Sequence, residues 1–380
     1  MRRKASRAGP APRPPLRAVL VALAVLGAAC TAPPPSTTSP TPAPTREAGT
    51  YAVTALLDLS GNRGPRGDAQ RSAMQQWASS DTQRATPRVK LRIVDVGGSD
   101  AKLLLELKRA SDAGDTDAFI VGVPAIVDDA LVSAIALVGR PVLFTLPIAE
   151  PAGDGARWIF GLAPAPGAIA RALVDALPSR TTPAIVVTSG TLASSREEQA
   201  LVSIFRADAR PMPFVMSTAA DQREAFAQRA KPFLGTGSGM FFTGPAASYL
   251  EPQRLVPASD ATTTVLVFLS YLTDASDAGR LGDAATGARW PGLRRPTSAG
   301  LGTHAATATD ALALLAASAD TTGDPERSRT RLEGSTFAGI ATTYTFSASR
   351  HIGADAGEIA LLAWENGRVV AARPIVVPAR

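Results

Sequence analysis

From residue 51 onward, short apolar runs alternate with longer segments whose apolar residues recur at helical spacing. Residues 51–59 form a half-apolar run that stops at Ser60-Gly61 and predicts a strand. Gly64, Pro65 and Gly67 predict a loop, and residues 69–78 have helical composition. Residues 89–96 alternate and predict a second strand. Over residues 100–110, Leu103, Leu104 and Leu107 share one face of a predicted helix. Phe119-Ile120-Val121 predicts a short buried strand closed by Gly122, residues 128–137 a helix and residues 141–146 another strand. A βαβαβ order with short connections predicts a parallel sheet covered on both faces by helices.

The rhythm then restarts. Residues 168–177 read as a helix, 184–188 as a strand ending at Ser189-Gly190, and 196–205 as a helix. Strands are predicted at 214–217, at 239–243 before Gly244, and at 263–270, with a helix at 221–231. Two such units in series predict an α/β protein of two similar lobes. Small molecules bind such folds outside the carboxyl ends of the strands and in clefts between lobes.

The first fifty residues follow a different logic. Arg2, Arg3, Lys4, Arg7, Arg13 and Arg17 make a basic start, and residues 18–29 are an unbroken apolar run. That run is shorter than the roughly 20 residues a membrane-spanning helix needs and reads as a secretion signal, residues 1–29. It ends at Gly27-Ala28-Ala29-Cys30, and Cys30 is the one cysteine in the chain. Small residues before a lone cysteine resemble a lipobox, which implies an acylated Cys30; the alternative is plain secretion with an incidental cysteine. The remainder of 30–50 is mostly Pro, Thr, Ser and Ala, a composition that stays extended and serves as a tether. With no other cysteine, the body is expected to be held by apolar cores alone, as two domains.

Charge alters one conclusion. The chain has 39 Lys+Arg against 33 Asp+Glu, yet six of the basic residues precede Cys30, so the remaining chain is balanced at 33 of each. The basic character belongs to the signal, and no nucleic-acid partner is expected. Enzyme classes also recede. His304 and His351 are the only histidines, which leaves a histidine-rich zinc site or a Cys-His nucleophile unsupported, and no metal or cofactor is implied. Gly235-Thr236-Gly237-Ser238-Gly239 precedes a strand, whereas phosphate loops follow one. Glu197-Glu198 and Asp128-Asp129 read as solvated helix faces or ends, and Trp158, Trp290 and Trp364 as packing residues.

Several stretches, in order, carry a family resemblance. They are Leu57-Asp58-Leu59-Ser60-Gly61 with Gly67, Phe119-Ile120-Val121-Gly122, Arg140-Pro141-Val142-Leu143-Phe144 and Trp158-Ile159-Phe160-Gly161-Leu162. Thr309-Asp310-Ala311, Tyr344-Thr345-Phe346-Ser347, His351-Ile352-Gly353 and residues 361–367 follow. Together the chain resembles the type I periplasmic binding proteins, the branched-chain amino-acid class of ABC-transporter solute receptors. The resemblance implies a Venus flytrap with three hinge crossovers. Lobe 1 would hold 51–162 plus 297–335, and lobe 2 would hold 163–296 plus 336–380.

It further implies a ligand site at Ser60, Gly61, Arg66, Pro124, Ala125, Pro147, Ser189, Gly244, Pro245 and Asp274. Arg66 would clamp a carboxylate or phosphate through its forked N–H donors, unless Arg63, Arg66 and Asp68 form a solvated loop. Asp274 would hold a cation, unless it too is solvated. The loop after Gly122 lacks the hydroxyls the family offers an amino-acid carboxylate, and Pro124 lacks an N–H, so an ordinary branched-chain amino acid is disfavoured. Thr145 stands just before the positions expected to hold an ammonium. The expected function is a monomeric, lipid-anchored, non-enzymatic receptor that delivers a small polar solute, an amino acid or related organic acid or amide, to an ABC permease. The alternative is a sensor or protein-interaction lipoprotein with a degenerate pocket.

Overall fold

The computed structural model describes residues 49–60, 64–80, 87–217, 239–243, 264–267, 288–298, 302–320, 322–366 and 368–372. The chain divides into two compact units at Pro42 and Ala43, and every described residue lies in the second. The signal, Cys30 and most of the tether lie outside the described residues.

The first sheet is built by β1 (Thr50–Leu57), β2 (Arg88–Asp95), β3 (Ala118–Val121), β4 (Val142–Phe144) and β5 (Ile159–Gly161). Its order is β2-β1-β3-β4-β5 and every pairing is parallel. Between these strands run α1 (Gly64–Ser79), α2 (Asp100–Ala113) and α3 (Asp129–Val138). The period-2 pattern of β1 explains the double cover. Tyr51, Val53, Ala55 and Leu57 pack into one core with Met74 of α1, while Leu56 enters a second with Leu103 and Leu107 of α2 and Leu131 and Ile135 of α3. Each buried Val, Leu, Ile or Met side chain among them contributes about 1.5–3 kcal/mol by leaving water. Gly114 and Gly139 end α2 and α3 in the left-handed conformation, which a residue without a Cβ adopts at little cost.

The second sheet follows α4 (Pro166–Asp175). Its elements are β6 (Ala184–Thr188), α5 (Leu192–Ala207), β7 (Phe214–Ser217), β8 (Gly239–Phe242), β9 (Thr264–Val267) and β10 (Ala288–Leu293). Then come α6 (Arg294–Ser298), α7 (Thr303–Ser318), α8 (Pro325–Glu333), a hairpin of β11 (Thr336–Ala338) and β12 (Thr343–Thr345), and finally β13 (Ile359–Glu365) and β14 (Arg368–Ala371). The order is β14-β13-β10-β9-β8-β6-β7, parallel from β7 to β10 and antiparallel through β13 and β14. The α/β expectation therefore holds, with two parallel-rich sheets. Helix α7 returns to the first sheet, where it packs along α1. Residues 351–353 then run beside β5, with Gly161 N–H donating to His351 O and Gly353 N–H to Gly161 O, before β13 re-enters the second sheet.

One sequence expectation is corrected. The predicted loop at Gly64, Pro65 and Gly67 is the first turn of α1. A Cβ on Gly67 would lie 1.8 Å from the Asp58 carbonyl oxygen, so the glycine is there because the helix start presses on the end of β1, not to break the helix. Strand β10 contains Pro291, a residue that argues against a central strand. Among the described residues its pairing with β9 covers Ala288 and Arg289, and Pro291 lies opposite Leu361 of β13. Trp158 and Trp290 are buried, as packing residues should be. The helix expected at 221–231 lies outside the described residues.

Candidate functional site

The carboxyl edge of the first sheet is cross-linked by buried side-chain hydrogen bonds. Gln70, buried in α1, donates from Nε2 to Gly122 O at 3.0 Å, and its Oε1 accepts from the Thr145 hydroxyl at 2.8 Å. One amide thus ties α1 to the loops that follow β3 and β4. A Cβ on Gly122 would sit 2.3 Å from Gln70 Oε1, which explains the glycine closing β3. Thr145 is therefore committed to the scaffold. The edge beyond β1 and β2 is pinned likewise. Asp58 accepts from Gly98 N–H at 2.5 Å, and Asp95 Oδ1 accepts from the N–H groups of Leu59 and Gly97, each at 2.9 Å. The Leu59 N–H is the main cause holding the Asp95 carboxyl below its usual range, with burial opposing it.

Across from this edge stand the starts of α4 and α5. Thr191 caps α5 by accepting from Ser194 N–H. The buried hydroxyls of Thr188, Ser194 and Thr243 link the ends of β6 and β8, and Ser189 N–H donates to Ser194 Oγ at 2.8 Å. The first turn of α4 carries Pro166, with no side-chain cap.

Between the two edges lies a cavity of about 670 Å³. Its first-sheet wall is residues 124–127 after β3, 147–150 after β4, and Gly98 and Asp100 at the start of α2. Its opposite wall is residues 165–167 at the start of α4 and Arg196, Glu197, Gln199, Ala200 and Ser203 along one face of α5. Pro124, Ala125 and Pro147 thus share one wall. Ser60, Arg66 and Ser189 do not line the cavity: Ser60 is exposed at the end of β1 beside Asp95, Arg66 lies in the first turn of α1, and Ser189 belongs to the α5 cap. Asp68 of the same turn pairs with Arg71 at 2.9 Å on the surface. Gly61, Gly244, Pro245 and Asp274 lie outside the described residues.

Glu197 corrects another expectation. It is 4% exposed and lines the cavity instead of facing water. The adjacent Glu198 gave no means of telling which of the two would turn inward. Glu150 is a second unanticipated wall residue. Its Oε1 accepts from His351 N–H at 3.0 Å, which ties the loop after β4 to the strand beside β5. The His351 ring stacks on Phe160 and its Nδ1 lies 2.9 Å from the carbonyl oxygens of both Ala156 and Ile159, so Nδ1 carries a proton and donates. The ring's role is local hydrogen bonding. Among the described residues no cluster of His, Cys, Asp or Glu is arranged to hold a metal, and no helix is long and apolar enough to cross a membrane.

No protein-family profile and no curated protein matches the chain. Solved structures do. An extracellular ligand-binding receptor from Rhodopseudomonas palustris is 13% identical with a TM-score of 0.69, over 85% of this chain and 99% of that one. The leucine-binding protein LivK from Thermotoga maritima is 15% identical with a TM-score of 0.65, over 85% and 98%. An ABC transporter substrate-binding protein from Desulfitobacterium hafniense, solved in complex with Leu, is 15% identical with a TM-score of 0.62, over 85% and 100%.

Proposed function

We propose that this chain, which has the two-lobed fold of the type I periplasmic binding proteins, is an extracytoplasmic receptor that binds a small solute between its two sheets and presents it to an ABC permease. The observation that carries the reading is the cavity, formed by the carboxyl-edge loops after β3 and β4 on one side and α4 and α5 on the other. Open α/β sheets bind ligands at this edge. A solute touching both walls stabilises the closed arrangement by its extra contacts, which is how binding becomes a signal to a permease. The amino acids, organic acids and amides suggested by the sequence set the first panel to try. In this reading Cys30 is acylated and residues 31–50 tether the body to the membrane.

A thermal-shift screen of the full chain against amino acids, organic acids, amines, amides, urea-like solutes and sugars tests it. A ligand present at 100 times its Kd stabilises by about 2.7 kcal/mol, which raises Tm visibly. A hit supports the receptor reading. A well-folded protein that answers to no solute overturns it and favours a sensor that docks a partner protein. The absence of hydroxyls and the proline in the loop of residues 123–127 are the observations on that side. Membrane attachment has its own check: Cys30→Ala is expected to move the protein from the membrane fraction to the soluble fraction, and unchanged fractionation would refute acylation.

A further inference from the structure

We infer that the cavity takes a solute with an apolar body and a cationic head, an aliphatic or arylalkyl amine, in preference to a zwitterionic amino acid or a carboxylate. This rests on the solute-binding reading above and narrows it.

The first argument concerns donors. An anion in such a cleft is held by backbone N–H groups at strand ends and helix starts. Three of those places in this wall are prolines, which have no N–H: Pro124 after β3, Pro147 after β4, and Pro166 in the first turn of α4. The neighbouring wall residues Ala125, Ile126, Val127 and Ile148 offer apolar side chains. A carboxylate against these side chains exchanges water for a hydrocarbon surface, and at the three proline positions no N–H offsets that transfer.

The second argument concerns charge. Among the described residues three acidic side chains line the cavity, Glu197, Glu150 and Asp100, against one basic side chain, Arg196. Glu197 is the buried one of the four; Glu150, Asp100 and Arg196 are all exposed, so acidic groups outnumber basic ones both at the rim and in the buried wall. Glu150 is kept at the wall by the His351 N–H. A ligand carboxylate would approach like charges in a partly desolvated space, and a ligand ammonium would meet a complementary field. Arg66, the one anion clamp suggested by the sequence, is not part of this wall.

Titration calorimetry on the full chain with matched head groups tests the inference. One set shares a branched aliphatic body: 3-methylbutylamine, leucine and 4-methylpentanoate. The other shares a phenyl body: phenethylamine, phenylalanine and 3-phenylpropanoate. In at least one set the amine is expected to bind about tenfold or more tighter than the amino acid, with no measurable binding of the acid. Glu197→Gln is expected to weaken the amine about tenfold or more, and Glu150→Gln, at an exposed position, to weaken it less while leaving the fold intact. Tighter binding of an amino acid or acid overturns the inference and leaves the receptor reading standing. So does a hit from the broad solute screen with no amine binding. Unchanged amine affinity in both variants also overturns it. Silence across both the sets and the screen overturns the inference and the receptor reading together.

Discussion

Gln70 shows how much of the candidate site depends on single buried polar groups. Its amide serves Gly122 O and the Thr145 hydroxyl at once, from a helix that neither loop contacts in sequence. Removing it leaves a buried carbonyl without its donor, a loss of about 1–3 kcal/mol. Gln70→Ala is therefore expected to lower the urea midpoint and weaken solute binding together. Thr145→Val should act through the same network, so a double-mutant cycle should give a coupling of at least about 0.5 kcal/mol; additive effects would show that the clamp is not shared. Asp310 of α7 is a second such group. It accepts from the N–H groups of Ile340 and Ala341 and from the Tyr344 hydroxyl, which fixes the β11–β12 turn. Burial nonetheless holds its carboxyl above the ordinary range. The folded state then binds this proton more tightly than the unfolded state. Stability from this site thus falls as pH rises from the ordinary carboxylate range through the raised value. Asp310→Asn should flatten that slope, measured as the difference in unfolding free energy between the two proteins across about pH 4 to 7.

At the scale of elements, the cavity loops are short segments stretched between fixed ends. The loop after β3 leaves the Gln70 contact at Gly122 and arrives at Asp128, which caps α3 by accepting from Leu131 N–H at 3.0 Å. Asp128→Ala is expected to cost about 1 kcal/mol of stability and to raise the Kd of any solute touching Pro124 or Ala125, because the loop loses its second anchor. Helix α1 depends on steric fit at its start. Gly67→Ala places a Cβ against the Asp58 carbonyl, so α1 must shift, at a cost of about 1–3 kcal/mol in unfolding experiments. An unchanged midpoint would mean that the helix start is not pressed on β1.

Across the whole molecule, one apolar core joins both sheets. It runs from Tyr51 and Phe160 through Leu162 to Ile169, Val186 and Phe241. A shared core predicts shared unfolding. The fluorescence of Trp158 beside the first sheet and of Trp290 in β10 of the second should report coincident urea transitions when each is measured with the other three tryptophans of the chain replaced by phenylalanine. Separate midpoints would show independent lobes. The charge network predicts acid lability. Asp95 is held low chiefly by the Leu59 N–H, Asp208 by its bond to Arg171 and Asp320 by the Thr322 hydroxyl. Each contributes stability that is present above the ordinary carboxylate range and lost as pH falls through its depressed value, opposite in sign to Asp310. Tm should therefore drop on acidification below about pH 4.

The order of strands and helices was legible in the sequence because it rests on local periodicity. Residues 51–59, 119–121 and 184–188 are apolar at strand length, Leu103 and Leu107 recur at helical spacing, and these properties need no knowledge of distant residues. The doubly covered first sheet followed from that order and from short connections. Pro124, Ala125 and Pro147 were proposed through the family resemblance, and the structure sets all three on one wall of the cavity. What the sequence left open concerns partners far apart in the chain. Glu197 and Glu198 are equivalent until α5 is laid on a sheet and one turns inward. Thr145 is a candidate ligand group until Gln70, 75 residues away, takes its hydroxyl. Gly67 reads as a helix breaker until the Asp58 carbonyl beside it supplies the reason for its size. Hydrophobic period is a property of a segment, whereas burial of a charge and occupation of a hydroxyl are properties of a contact, and only the tertiary structure decides contacts.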